Sequence, residues 1–220
     1  MATLREMGTA QNVKIYRRHG AGDKLFGVSF ANLNKLKKQI GMDHQLAERL
    51  WRTGNTDAQT LALMIADPNA LTAGEADAWL KDIQYSLLAD MLAGLIARSS
   101  LAPSKLKKWT RSRQETIRVC GYSLLASMLK DTPELLSDDL CRQYIDTIER
   151  QIHQSANLAR HAMNTGLIAI GIYKLDLRDD AIAAARRIGK VDVDHGQTSC
   201  KTPDAESYIN KAAARQSKRG

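Results

Sequence analysis

The residues best placed for chemistry in this chain are cations gathered where a helix is expected to begin. In KKWTRSRQETIRVCG, residues 107–121, an amphipathic segment ends at Trp109, a short basic turn follows, and a second helix starts. Ser112 and Glu115 fit a capping box, in which the Ser oxygen accepts an N–H three residues on and the Glu reaches back. Ile117, Cys120, Gly121, Leu124 and Met128 then fall on one apolar stripe at helical spacing. That leaves Arg118 on another face, with Arg111 and Arg113 at the helix mouth. Unpaired N–H groups at a helix N-terminus, flanked by arginines, suit a phosphate. His153, Arg160 and His161 flank the equivalent turn of a later segment. Lys35 and Lys38, with Lys37, line the outer side of a helix expected over residues 31–40, and read either as a solvated face or as a phosphate-contacting rim. Asp192, Asp194, His195 and Cys200 lie within nine residues and offer metal-donor atoms. Their spacing matches no standard ligand pattern, so an ordered loop with Asx-type hydrogen bonds is expected there. No metal and no cofactor are expected.

The elements that must hold these groups follow from a repeat. Trp51, Trp79 and Trp109 are spaced 28 and 30 residues apart, each late in a first helix, and each is followed by a turn and a second helix. RTGNTDAQTLALMIADP follows Trp51, with a capping box expected at Thr56 and Gln59. LKDIQYSLLADMLAGLIARS follows Trp79, with Tyr85 near the start of its helix and Asp90 farther along. TIERQIHQSANLARHAMNTGLIAIGIYK is a fourth copy without the Trp. One helix pair cannot bury its apolar face alone, so a period of this size predicts stacked antiparallel pairs. The expected fold is all-α, a HEAT-like helical-repeat solenoid. Further helix starts are expected at Asp43, at Thr72 with Glu75, at Thr132–Pro133 and at Thr202–Pro203.

Composition sets bounds on partners. No run of apolar residues is long enough to span a membrane, and the N-terminus shows no hydrophobic signal region, which predicts a cytoplasmic protein. Three widely spaced cysteines, Cys120, Cys141 and Cys200, fit neither a disulfide framework nor a zinc site. The net charge of +8 favours an anionic partner, yet Lys211, Arg215, Lys218 and Arg219 supply half of it. The position of the remaining charges therefore decides the matter. Residues 1–12 read as a flexible leader, 13–209 as one repeat domain and 210–220 as a basic flexible tail.

Five segments carry a resemblance: YRRHGAGDKLFGVSFANLNKLKKQIG, LAERLWRTGNTDAQTLALMIADP, KKWTRSRQETIRVCG, RHAMNTGLIAIG and ARRIGKVDVDHGQTSCKTPDA. In that order, across residues 16–208, the chain resembles the DNA alkylation repair proteins, which are built from HEAT-like repeats and include DNA glycosylases. The resemblance implies a right-handed, C-shaped solenoid whose concave basic face holds duplex DNA. It also implies excision of cationic N3- or N7-alkylpurines without a metal. Such a purine is already a good leaving group. What helps is an anion near the sugar, where oxocarbenium charge grows, and aromatic faces beside a cation.

Active members of the family resemble that picture: a Trp and an Asp four residues apart on one helix, a Trp on a later helix, and an Arg gripping the backbone. Here Tyr85 stands where the first Trp is expected, Ala89 follows four residues on, and the carboxylate of Asp90 comes one residue late. On a helix that displacement turns a side chain by about 100°. Thr165, beside Asn164, takes the second Trp position, and the paired basic residues reduce to Arg118 followed by Val119. Fold and DNA surface thus carry over better than the catalytic constellation. Tyr85 reads as a core aromatic or a lesion contact. Asp90 reads as a surface acid, a partner of Lys81 or Arg98, or the catalytic carboxylate. Three functions compete: an alkylpurine glycosylase using Asp90 and Tyr85, a non-catalytic module binding damaged or branched DNA by shape and charge, and a protein-interaction scaffold.

Overall fold

A computed structural model of the chain describes residues 1–217. Those residues form α-helices and three short 3-10 turns, with no strand among them; one antiparallel bridge joins Gly8 to Val28. They fall into two compact units, Met1–Pro103 with Gly196–Thr198, and Ser104–His195 with the residues from Ser199 on, where the sequence suggests one domain.

The first unit contains α1 (Ala2–Glu6), α2 (Ala10–Arg18), α3 (Phe30–Ile40), α4 (His44–Trp51), α5 (Thr56–Ile65), α6 (Ala73–Asp82) and α7 (Ser86–Ile96). Helix α5 is buried on nearly every side, the state in which a helix can carry apolar residues all round. Two of its buried polar side chains, Thr60 and Asp57, are hydrogen-bonded. Thr60 Oγ1 donates to Thr56 O at 2.8 Å. The Asp57 carboxylate accepts the N–H groups of Phe26, Gly27 and Val28 at 2.5, 3.1 and 2.8 Å. Trp51 and Trp79 lie 4.5 Å apart at 8° in a parallel stack inside this core, and Trp51 Nε1 donates to Asp82 Oδ2 at 3.0 Å. The apolar spacing read from the sequence is confirmed in α3, where Leu33 and Leu36 are buried and Lys35, Lys37 and Lys38 are exposed.

The expected leader is structured. Leu4 is buried, Arg5 lies over the Phe26 ring at 5.1 Å, and Thr9 N and Asn12 Nδ2 donate to Gly27 O at 3.1 and 3.0 Å. Gly27 has φ +79° and a Cβ there would stand 2.5 Å from Thr9 O, so this close approach requires glycine.

The second unit holds α8 (Ala102–Trp109, most of it), α9 (Glu115–Asp131), α10 (Asp138–Gln151), α11 (Asn157–Tyr173), α12 (Arg178–Ile188) and α13 (Ala205–Ser217). Helices α9 and α11, 17 residues each, pack along one another. The absence of a side chain at Gly166 admits the Tyr122 ring, whose Cδ1 would lie 3.3 Å from a Cβ. Gly121 lets α9 approach the backbone after α8: a Cβ would fall 2.5 Å from Thr110 N. Residues 210–217, read as tail, continue α13. Ala, Lys, Arg and Gln are good helix formers, Ile209 is fully buried where Gly171 leaves room, and Arg186 pairs with Glu206 at 2.7 Å. Lys218 and Arg219 lie outside the described residues.

Helix starts were partly misplaced by sequence. Thr72 and Glu75 form the capping box, and Asp43 caps α4. Asn55, a stronger cap than Thr, takes that role one residue before Thr56, so the second box does not form. Ser112 accepts instead from Gln114 N at 3.1 Å, two residues on, a turn rather than a cap. Thr132 and Pro133 open a 3-10 turn, and α10 begins after Ser137. After Thr202–Pro203, it is Asp204 that accepts from Ser207 N at 2.8 Å at the head of α13.

Candidate functional site

Arg118 and Arg160 are each the fourth residue of their helix, α9 and α11. The two helix starts meet directly: Leu158 N donates to Glu115 Oε1 at 2.6 Å. Neither start is capped by its own N-cap residue, Gln114 in α9 and Ala156 in α11. The first N–H groups of a helix have no partner in the helix itself. The Nε atoms of Arg118 and Arg160 are buried without a hydrogen-bond partner among the described residues. An Nη of Arg118 donates to the neutral Gln151 side chain at the end of α10.

Other arginines of this unit are already matched with acids: Arg187 with Glu149 at 2.6 Å, Arg186 with Glu206, and Arg142 with Asp139 at 3.2 Å. No carboxylate stands within ion-pair distance of Arg111, Arg113, Arg118 or Arg160 among the described residues. Arg111 and Arg113 are exposed in the turn before α9. Burial pushes the Tyr144 phenol up, while its hydrogen bond with Thr110 and the charge of Arg111 pull it down, which sets Arg111 beside α10. Burial likewise raises Tyr122, opposed by the neighbouring Arg118. The Tyr122 and Tyr144 rings meet edge to face at 6.4 Å.

The segment after α12 crosses the start of α11. Asn157 clamps Asp194 through two hydrogen bonds, Nδ2 to Asp194 O at 2.6 Å and Asp194 N to Oδ1 at 2.8 Å. Lys190 holds Asp192 at 2.6 Å, and its hydrogen bond and charge, helped by Arg160 and His153, keep that carboxyl below the usual range. His153 bonds Ile188 O at 2.9 Å. His161 Nδ1 and His195 Nε2 both lie 3.0 Å from the Thr202 hydroxyl, their rings edge to face at 5.1 Å. Asn164 donates to Pro203 O at 2.9 Å. The residues beside the second Trp position therefore serve to hold this segment. His161, expected from the sequence to contact DNA, is a structural anchor here.

Burial, then His195, lower the His161 pKa from 6.5. The neutral ring is thus favoured by the folded chain, and the unfolded chain binds the proton first as pH falls. This contribution to stability is complete above about 6.5 and is lost as pH drops through the lower folded value. Melting temperatures between pH 8 and 5 should fall more steeply for the wild type than for His161→Gln; parallel curves would count against the anchor.

The two catalytic candidates do not converge. Tyr85 is the N-cap residue of α7 and is buried; desolvation, then the charge of Tyr16, pushes its phenol up to about 12. It lines a cavity of about 570 Å³ with Trp51, Asp82, Lys24, Arg52 and Lys81. Asp90 is exposed on α7 and is not among the lining residues, while Ala89, at the family's acid position, is fully buried. Lys35 and Lys38 stand exposed on α3 in the first unit. Among the described residues no helix is long and apolar enough to cross a membrane.

Sequence reasoning missed Gln151, Asn157 and Lys190. Only the juxtaposition of helix starts, not any local motif, makes them part of this corner.

Comparison with known proteins agrees with this architecture. The family model described as DNA alkylation repair enzyme matches residues 1–209. Two uncharacterized proteins, from Listeria innocua serovar 6a and Listeria monocytogenes serovar 1/2a, are 32% and 31% identical to this chain over 218 residues. Each match covers 96% of this chain and 95% of the relative. A solved structure superposes with a TM-score of 0.90 at 28% identity, covering 98% of this chain and 93% of the other. It is described as a new family of proteins related to the HEAT-like repeat DNA glycosylases with affinity for branched DNA structures. The all-α, HEAT-like repeat fold is that of this structure.

Proposed function

The chain belongs to the DNA alkylation repair enzyme family, and on that premise we propose that it binds DNA by charge and shape, preferring branched structures, without excising bases. The observation that carries this reading is the corner of α9 and α11. Two arginines in equivalent positions, with no acid paired to them among the described residues, flank two helix starts whose own N-cap residues supply no side-chain bond and which are joined at Glu115 and Leu158. Helix N–H groups and guanidinium groups are the usual partners of phosphate oxygens, and such contacts fix position without reading sequence. Arg111 and Arg113 extend the cationic surface from the preceding turn, and His153 is a further candidate phosphate contact in the turn before α11. The solved relative with affinity for branched DNA structures supports the preference for branches. Lys35 and Lys38 are a second, separate set of candidate phosphate contacts.

Excision would need an anion and an aromatic face at one sugar. Asp90 is exposed and Tyr85 is buried in a different setting, so binding is the reading the geometry favours.

The test compares a four-way junction with a linear duplex of the same sequences in a gel-shift titration. The same protein is incubated with duplex containing N7-methylguanine or N3-methyladenine and released base is measured. The expected outcome is at least about tenfold tighter junction binding, well within what a few added phosphate contacts supply, and no release above the spontaneous rate. Equal affinity for both DNAs would remove the preference for branches. Release that disappears in Asp90→Asn would establish the excision reading instead.

A further inference from the structure

We propose that His44, Glu48 and Glu75 form a divalent transition-metal site, with Zn²⁺ as the fitting ion, which ties α4 to α6. His44 opens α4 and Glu48 follows at i+4, so both side chains rise from one face of the helix. Glu75 comes from the first turn of α6. One ligand atom from each residue lies within 4.8 Å of the others. His44 Nε2 is 3.9 Å from Glu75 Oε1, too far for a hydrogen bond. Both nitrogens of the His44 ring are buried without a hydrogen-bond partner among the described residues. A Glu48 carboxylate oxygen lies within 4.8 Å of one of Glu75, so two carboxylates meet beside that ring, and Arg52 reaches only Glu48 Oε2, at 3.4 Å.

Two adjacent carboxylates repel unless a proton or a cation lies between them, and a buried imidazole nitrogen needs a partner. A single cation meets both requirements. Zinc takes imidazole nitrogen and carboxylate oxygen at about 2.0–2.2 Å, which sets tetrahedral ligand atoms roughly 3.5 Å apart. The observed spacing closes to that value through small side-chain adjustments. Glu75 Oε2 is already fixed by Thr72 N at 2.9 Å and Thr72 Oγ1 at 2.7 Å, leaving Oε1 to the ion. Outer hydrogen bonds of this kind orient metal ligands. Side-chain exposures of 16% for His44, 27% for Glu75 and 30% for Glu48 leave an entry path on the carboxylate side. Three protein ligands leave a fourth position for water. The proposal is independent of the DNA reading.

The whole chain, freed of metal by a chelator and dialysed, is titrated with Zn²⁺ and separately with Mg²⁺ by calorimetry and tryptophan fluorescence. The fluorescence readout is direct, because His44 stacks on Trp79 at 6.3 Å and Trp79 on Trp51. One Zn²⁺ per chain is expected, with changed emission and a raised melting temperature, and no response to Mg²⁺. Glu75→Gln keeps the capping box, which accepts Gln as well as Glu, and Glu48→Gln touches no cap. Each should weaken Zn²⁺ at least about tenfold while the metal-free chain stays folded, with an unchanged circular dichroism spectrum. Absence of Zn²⁺ binding, or binding that survives both substitutions, overturns the site.

Discussion

Asp57→Ala is expected to destabilise the chain by about 3–5 kcal/mol, the range for removing one side of a buried charged interaction. The carboxylate accepts three backbone N–H groups, from Phe26, Gly27 and Val28. It is 2% exposed, so water does not replace it. Those same residues receive Asn12 and Tyr16 from α2 and Thr9 from its N-cap, through Gly27 O and Val28 O. Losing the carboxylate therefore loosens α5, the 26–28 segment and α2 together. A chain of this size shifts its melting temperature by about 2–4 °C per kcal/mol, which predicts a fall of about 10 °C, measured by circular dichroism, with urea unfolding supplying the free energy. Asp57→Asn should lose less, since its amide oxygen still accepts. A loss under about 1 kcal/mol in the alanine variant would show that the loop is held by other means.

This residue also shows where sequence reading stops. TDAQT marks the start of a helix, and an acid there is explained by the helix dipole alone. Its real partners lie 29–31 residues upstream, a pairing no local pattern encodes. The three tryptophans were legible, because apolar periodicity is local and all three are buried. So was the capping box at Thr72 and Glu75. The one at Ser112 failed because a serine in a turn has a competing bond two residues on. The first helix and the length of the last were missed for a common reason: α1 buries only Leu4, and α13, whose start near Thr202–Pro203 was expected, only Ala205 and Ile209, too few to form a stripe.

The cationic corner was half legible. Repeat alignment put Arg118 and Arg160 in equivalent turns. Their shared helix position, and Glu115 joining the two starts, required the packing of α9 on α11. Tyr85 and Asp90 went the other way. Close in sequence, they separate because Tyr85 ends the turn before α7 whereas Asp90 lies on its exposed face.

The second large effect concerns DNA. Arg118→Glu with Arg160→Glu should weaken junction binding by about 100-fold near physiological salt, since two phosphate contacts are lost and repulsion replaces them. The proper comparison is Lys130→Glu with Lys211→Glu, an equal change in net charge at two exposed residues elsewhere, for which a loss under about tenfold is expected. Both proteins should be checked by thermal melting, because the arginine stems are partly buried.

The salt dependence of that binding is the most direct measurement of the central claim. Plotting log Kd against log salt gives a slope near 0.9 per phosphate contacted on duplex DNA. The wild type should show a steep slope, and Arg118→Glu with Arg160→Glu should reduce it by about two. The lysine variant should keep the wild-type slope. A wild-type slope near zero, or equal slopes in all three proteins, would contradict a phosphate-binding corner at the start of α9 and α11.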